Sequence, residues 1–220
     1  MVILKNPIVE LPSSIEDILS GVTAVIITHN HIDRWDSKAI NTIHKDMPIF
    51  VQDEVDQHSI INDGFTDVCV MNMKTKFHNI TFTKVTGQHY ENSDVKKMLE
   101  NDFNTSKTMG FYLSTPSEKS ILFTGDTIWF DSLENNLEDL KPDIVVMNSG
   151  GNGFSVGRLI LNAQDVFKIH ETLPQSLLIA SHMEAVNHWT TSRTELAAMA
   201  EKNGFESKLE IPKDGDILTL

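Results

Sequence analysis

The sequence predicts an α+β domain in which two β-sheets pack face to face and helices cover them. Short apolar runs rich in β-branched residues recur along the chain, and amphipathic stretches of helical length separate them. With 220 residues, 40% of them hydrophobic, one full core can be buried, so residues 1–220 are expected to form a single domain. No internal repeat or low-complexity linker divides them.

Residues 6–12, carrying Pro7 and Pro12, read as a loop, and the stretch 13–19 as a capped helix: Ser14 and Asp17 match the capping-box spacing with Asp in place of Glu. The β-branched run 23–28 is the first buried strand. Further strands are expected at 48–52, 67–71, 79–85, 110–115, 143–147 and 176–180, with another short apolar run at 121–123. Helices are expected at 37–44, 54–62, 133–140, 163–173 and 192–203, the last closed by Gly204 in a C′ position. The polar stretch 91–108 is the least regular and reads as a surface insertion, the alternative being a lid over a site. Cys69 excludes an internal disulfide, and its setting between Val68 and Val70 suggests a buried strand position.

Chemistry concentrates where apolar runs end. After Thr23-Ala24-Val25-Ile26-Ile27 comes Thr28-His29-Asn30-His31-Ile32-Asp33-Arg34, which sets two imidazoles and a carboxylate at i, i+2 and i+4. Neutral imidazole with carboxylate suits zinc, manganese or iron(II), and a strand end holds ligands rigidly. The competing reading is three polar residues in a solvated turn. Three further signals also follow apolar runs: Gly87-Gln88-His89, Thr124-Gly125-Asp126-Thr127 and Ser181-His182-Met183-Glu184. In order and context these motifs resemble the metallo-β-lactamase superfamily, with its HxHxD, lone His, Gly-Asp and final His. The phrases His182-Met183-Glu184-Ala185-Val186-Asn187-His188 and Ile211-Pro212-Lys213-Asp214-Gly215-Asp216 are similar to small bacterial hydrolases near the ascorbate-6-phosphate lactonase branch.

The resemblance implies an αββα four-layer sandwich and a divalent metal centre, with zinc expected first and manganese second. It implies His29, His31 and His89 as ligands of one ion, Asp33 and His182 as ligands of another, and Asp126 as the bridge. One expected ligand is absent, because Arg34 stands where most hydrolases of the superfamily carry a further histidine. A guanidinium is always protonated and has no lone pair for a cation. The main group of zinc β-lactamases shares this HxHxDR pattern and holds its second zinc more weakly, so one or two ions are expected. The start also departs: only 28 residues precede His29, and strands that relatives place there have no counterpart, so the fold looks shortened at its N-terminus. An uncovered sheet edge exposes backbone donors and acceptors. We therefore expect a homo-oligomer whose interface involves the N-terminal region, residues 1–4 being apolar and able to extend.

A metal-bound hydroxide attacking a small-molecule ester or lactone is the activity implied by the resemblance. In it Asp33 orients and deprotonates the water, and Arg34 holds a substrate carboxylate or phosphate, supplies a fixed positive charge or simply pairs with an acid. His188, six residues beyond His182, protonates the leaving group or binds substrate, and Glu184 orients a ligand histidine. The glycines of Asn148-Ser149-Gly150-Gly151-Asn152-Gly153 permit close approach to an oxyanion or merely a tight turn. The alternatives are a phosphodiesterase of the same fold and a non-catalytic metal-binding or regulatory protein derived from it. A formal net charge of −13 disfavours a nucleic-acid partner, whose phosphates need clustered Lys and Arg. No apolar run approaches membrane-spanning length and no signal peptide is evident, so a cytoplasmic enzyme with a small-molecule substrate is expected.

Overall fold

The computed structural model describes residues 6–220. Its strands are β1 (Val25–Ile27), β2 (Ile49–Val51), β3 (Val68–Val70), β4 (Thr75–Phe77), β5 (Ile80–Thr86), β6 (Met109–Ser114), β7 (Ile121–Phe123), β8 (Ile144–Asn148), β9 (Gly153–Phe154), β10 (Gly157–Arg158), β11 (Leu177–Ser181) and β12 (Leu209–Glu210). Its α-helices are α1 (Ile15–Leu19), α2 (Ser37–Thr42), α3 (Glu54–Asn62), α4 (Ser93–Asp102), α5 (Asp131–Leu140), α6 (Ala163–Thr172) and α7 (Arg193–Asn203). The strands make a three-stranded parallel sheet, β1-β2-β3, and a seven-stranded mixed sheet, β12-β11-β8-β7-β6-β5-β4. The larger sheet is antiparallel from β4 to β7 and parallel from β7 to β12; β9 and β10 form a separate hairpin.

The period of two along each strand divides the interior into layers. In the small sheet Val25, Ile27, Ile49 and Val51 face outward against Ile40, Ile60 and Phe65, so α2 and α3 cover that side. The intervening Ala24, Ile26 and Phe50 face inward and meet Phe82, Met109, Phe111 and Leu113 of the larger sheet. The other face of the larger sheet, carrying Val85, Leu122, Val145 and Leu178, packs on Leu133 and Leu137 of α5, Val166 and Ile169 of α6, and Leu196 of α7. Helix, sheet, sheet, helix is the αββα order that the motifs implied. Trp35 lies in the core: it is buried against Phe65, and its Nε1 donates to Asp63 Oδ2 at 2.8 Å.

Two expectations are corrected. Residues 91–108 are not an irregular insertion, since α4 occupies most of them. Asn92 accepts from the amides of Asp94 (2.9 Å) and Val95 (3.1 Å) and caps the helix. Val95 and Leu99, one turn apart, are buried against Leu159 and Ile160. The apolar stripe is narrow enough to be lost among its polar neighbours. Cys69 is exposed rather than buried. It lies on β3, an edge strand of the small sheet, where Val68 and Val70 face the helices and Cys69 points to the other side, at the sheet's margin.

Among the described residues no strand pairs with the outer edge of β1. The chain ahead of α1 runs elsewhere: Ile8 N donates to Ala185 O at 2.9 Å, and Asn6 exchanges two hydrogen bonds of 3.1 Å with Asn187. The expected interface segment at residues 1–4 lies outside the described residues. No helix of the described residues is long and apolar enough to cross a membrane.

Candidate metal centre

Each motif sits where a strand ends at the same rim of the sandwich. Thr28 O, just past β1, accepts from Met109 N at 3.1 Å, which ties this end to β6. His31 O then accepts from both Arg34 N and Trp35 N at 2.9 Å, so the chain turns sharply and brings Asp33 and Arg34 back toward the histidines. His89 follows β5, held by Ile128 N donating to Gln88 O at 2.9 Å. Asp126 follows β7 through Gly125, whose φ is 63° and whose missing Cβ would lie 2.4 Å from Met109 O. Only glycine fits there. His182 follows β11 with φ 56°, a left-handed conformation that a histidine adopts at a cost and that functional loops often hold.

His29, His31 and His89 are all buried, with ring centroids 4.4, 5.1 and 5.3 Å apart. One ligand atom from each lies within 4.8 Å of the others. Each ring is held through its remaining nitrogen. His89 Nδ1 lies 3.0 Å from Leu159 O, and His31 Nε2 lies 2.8 Å from Thr105 O. A carbonyl can only accept, so those nitrogens carry the protons, leaving His89 Nε2 and His31 Nδ1 as lone pairs. His29 Nδ1 approaches the hydroxyls of Thr28 (3.1 Å) and Thr108 (3.5 Å), and its fully buried Nε2 has no hydrogen-bond partner. Asp126 Oδ2 lies 3.7 Å from that Nε2 and 3.8 Å from His89 Nε2. An orphaned buried nitrogen among two more imidazoles and a carboxylate is the donor set of a divalent cation such as zinc, and the residues fit one.

The charge state agrees. Burial, reinforced by the neighbouring histidines and Arg34, holds His29 well below the usual imidazole range although Asp126 opposes it. Burial holds His89 low as well. Both are therefore neutral and ready to ligate at pH 7. Burial alone would raise Asp126, but Arg34, His182, His89 and His29 outweigh it and keep this carboxyl well below its ordinary range.

Asp33, Asp126 and His182 form a second group with atoms within 4.8 Å of one another, Asp33 exposed and His182 half-buried. Arg34 lies within it. Its Nη2 donates to Asp126 Oδ2 at 2.6 Å and its Nη1 is 3.4 Å from Asp33 Oδ2, while Asn148 Nδ2 donates to Asp126 Oδ1 at 2.5 Å. Arg34 thus pairs with Asp33 and Asp126 rather than with Asp36.

His188 is half-buried and stacks on Phe154, centroids 5.2 Å apart at 14°. Phe154 stacks in turn on Phe103 (6.4 Å, 24°), and Phe103 lies 5.7 Å from His31. A row of rings therefore runs from the histidine cage to the surface. Burial, with His182 adding to it, lowers His188, while Asp33 opposes. Glu184 does not reach a ligand histidine: it pairs with Arg193 at 2.7 Å, and Arg193 also binds Asp214 at 2.7 Å and Pro212 O at 3.1 Å. That clamp braces the loop carrying His182. Gly150 serves close packing, since a Cβ there would lie 2.4 Å from His182 O. Sequence reasoning missed Thr105 O, Leu159 O, Thr108, Asn148, Phe103 and Phe154. Backbone acceptors leave no residue-type signal, and the polar and aromatic partners come from segments distant along the chain.

The beta-lactamase superfamily domain matches residues 3–183 of this chain. UPF0173 protein YddR of Bacillus subtilis (strain 168) is 38% identical over 217 residues, 98% of this chain and 83% of that protein. The isothiocyanate hydrolase from Delia radicum gut bacteria superposes with a TM-score of 0.92 at 35% identity, over 100% of this chain and 84% of that one. A possible metal-dependent hydrolase from Veillonella parvula DSM 2008 superposes at 0.89 with 34% identity, over 98% of this chain and 83% of that one. The chain therefore belongs to the beta-lactamase superfamily, as a hydrolase of metallo-β-lactamase fold.

Proposed function

We propose that this hydrolase acts on small, uncharged molecules in which an electrophilic carbon carries an apolar or aromatic group, with an isothiocyanate as the leading class. The row of rings from His31 through Phe103 and Phe154 to His188 carries this reading, because it offers stacking surface beside the histidine cage. The likeness to the isothiocyanate hydrolase, at 35% identity over the whole chain, supports it. An ester or lactone carbonyl is the second reading, supported by the likeness of the His182–His188 phrase to the lactonase branch. A phosphodiester fits less well, since Arg34 is engaged by two carboxylates and the chain is strongly acidic.

A divalent ion held by His29, His31 and His89 would lower the pKa of a coordinated water toward neutrality and polarise the substrate. Asp33, exposed at the mouth, orients the attacking water and takes its proton. His188, stacked on Phe154, returns a proton to the leaving group. For an isothiocyanate R–N=C=S the balance is one water consumed: oxygen bonds to the central carbon, the C–N bond breaks, and both protons end on nitrogen. The products are R–NH2 and carbonyl sulfide.

The test is turnover of benzyl isothiocyanate, followed by amine release, beside p-nitrophenyl acetate and a simple γ-lactone. Amine release that stops on chelation and falls by about 10²-fold or more in His89→Ala is expected, since that ligand holds the ion. Ester or lactone turnover without amine release would transfer the assignment to the second reading. Metal-loaded, folded protein inert toward all three would overturn both.

A further inference from the structure

We infer that Arg34 takes the place of a second cation, so that this centre is built for one divalent ion beside a fixed guanidinium. The inference rests on the histidine cage being the metal site, and it goes beyond that reading by assigning the neighbouring group of ligands a different occupant. Three residues, Asp33, Asp126 and His182, come close enough to share an ion. The guanidinium already bonds to Asp126 at 2.6 Å and lies 3.4 Å from Asp33. A second ion in this group would have to lie beside the guanidinium, roughly 2.0–2.2 Å from a carboxylate oxygen that already accepts from it, and two cations so close repel each other.

Both oxygens of Asp126 are already engaged. Oδ1 accepts from Asn148 Nδ2, and Oδ2 accepts from Arg34 while facing the cage nitrogens of His29 and His89. The pairing is also enclosed: the Asp126 side chain is 5% exposed and that of Arg34 22%. A charge so deeply placed must be compensated, and Arg34 compensates it without depending on metal supply. Arginine is positive at every working pH, so the position stays cationic throughout. In the reaction, Arg34 holds Asp126 toward the cage and keeps a positive field beside the carbon under attack, acting through Asp126 as a positioning residue.

The experiment is metal titration of the stripped full-length protein with zinc, read by native mass spectrometry and calorimetry. Wild-type chain should take one ion tightly; two ions of comparable affinity, or none, would overturn the inference. Arg34→His supplies a ligand and removes the charge, so a second ion should bind at least about tenfold more tightly than to wild type. Arg34→Gln only removes the charge and serves if the histidine variant misfolds; it should also gain a second, weaker ion. Folded variants that remain at one ion would show that Arg34 is not what excludes the second. Stoichiometry is read without substrate, so absent turnover tells against the substrate class alone.

Discussion

At the centre the decisive atoms are few. His29 Nε2 is buried without a partner, and the carbonyls of Thr105 and Leu159 choose the tautomers of His31 and His89. Asn148 is the least conspicuous contributor, yet it satisfies the Asp126 oxygen that Arg34 does not. Asn148→Ala leaves a buried carboxylate oxygen unpaired, a loss of about 1–3 kcal/mol. We expect chemical denaturation of the metal-free variant to show that loss at an unchanged m-value, together with weaker zinc binding. A stability within 0.5 kcal/mol of wild type, on the order of surface substitutions, would mean another donor reaches that oxygen.

Helix α4 and the β9–β10 hairpin, as elements, decide what reaches the ion. Val95 and Leu99 anchor α4 to Leu159 and Ile160, and the chain after it delivers Phe103 and Thr105 to His31. The hairpin brings Phe154 over His188. Because Phe154 is 38% exposed, its removal should spare the fold and affect recognition. Phe154→Ala is expected to raise KM for benzyl isothiocyanate by roughly tenfold, the worth of one aromatic contact, while changing KM for methyl isothiocyanate little. Steady-state kinetics on the two substrates check it, and equal changes for both would remove Phe154 from substrate recognition.

The whole molecule carries the acid sensitivity of its site. His29 and His89 are held neutral by burial, whereas in the unfolded chain they take up protons near pH 6.5. The unfolded state therefore binds more protons below about pH 6.5, and stability falls as pH falls through that range. Asp126, held low chiefly by Arg34 against its burial, adds a second loss below about pH 3.9. Metal-stripped protein should melt roughly 5 °C lower at pH 5 than at pH 7.5 by scanning calorimetry. An unchanged melting temperature would mean these imidazoles are not kept neutral by the fold. The outer edge of β1 belongs to this scale too, since it has no strand partner among the described residues. If a second copy covers it, light scattering at micromolar concentration should give at least twice the 24.7 kDa of one chain. A clean monomer would refute the homo-oligomer.

Much of the fold was legible in the sequence because burial is written in periodicity. The small sheet's strands and α3 lie close to where the apolar runs placed them, and the motifs at the strand ends pointed to one rim. α4 was obscured by polar neighbours around Val95 and Leu99, and α5 begins earlier than expected because Phe130, its N-cap, has no capping side chain to announce it. The motifs in their order, through their resemblance to the metallo-β-lactamase superfamily, marked His29, His31, Asp33, His89, Asp126 and His182 as the residues to watch. Only the tertiary structure decided what Arg34 does, which carbonyls orient the imidazoles and which rings line the approach. The Arg34–Asp126 pair and the two carbonyl contacts join residues 70 to 92 positions apart, and such partners are chosen by distance in space, which no periodicity along the chain encodes.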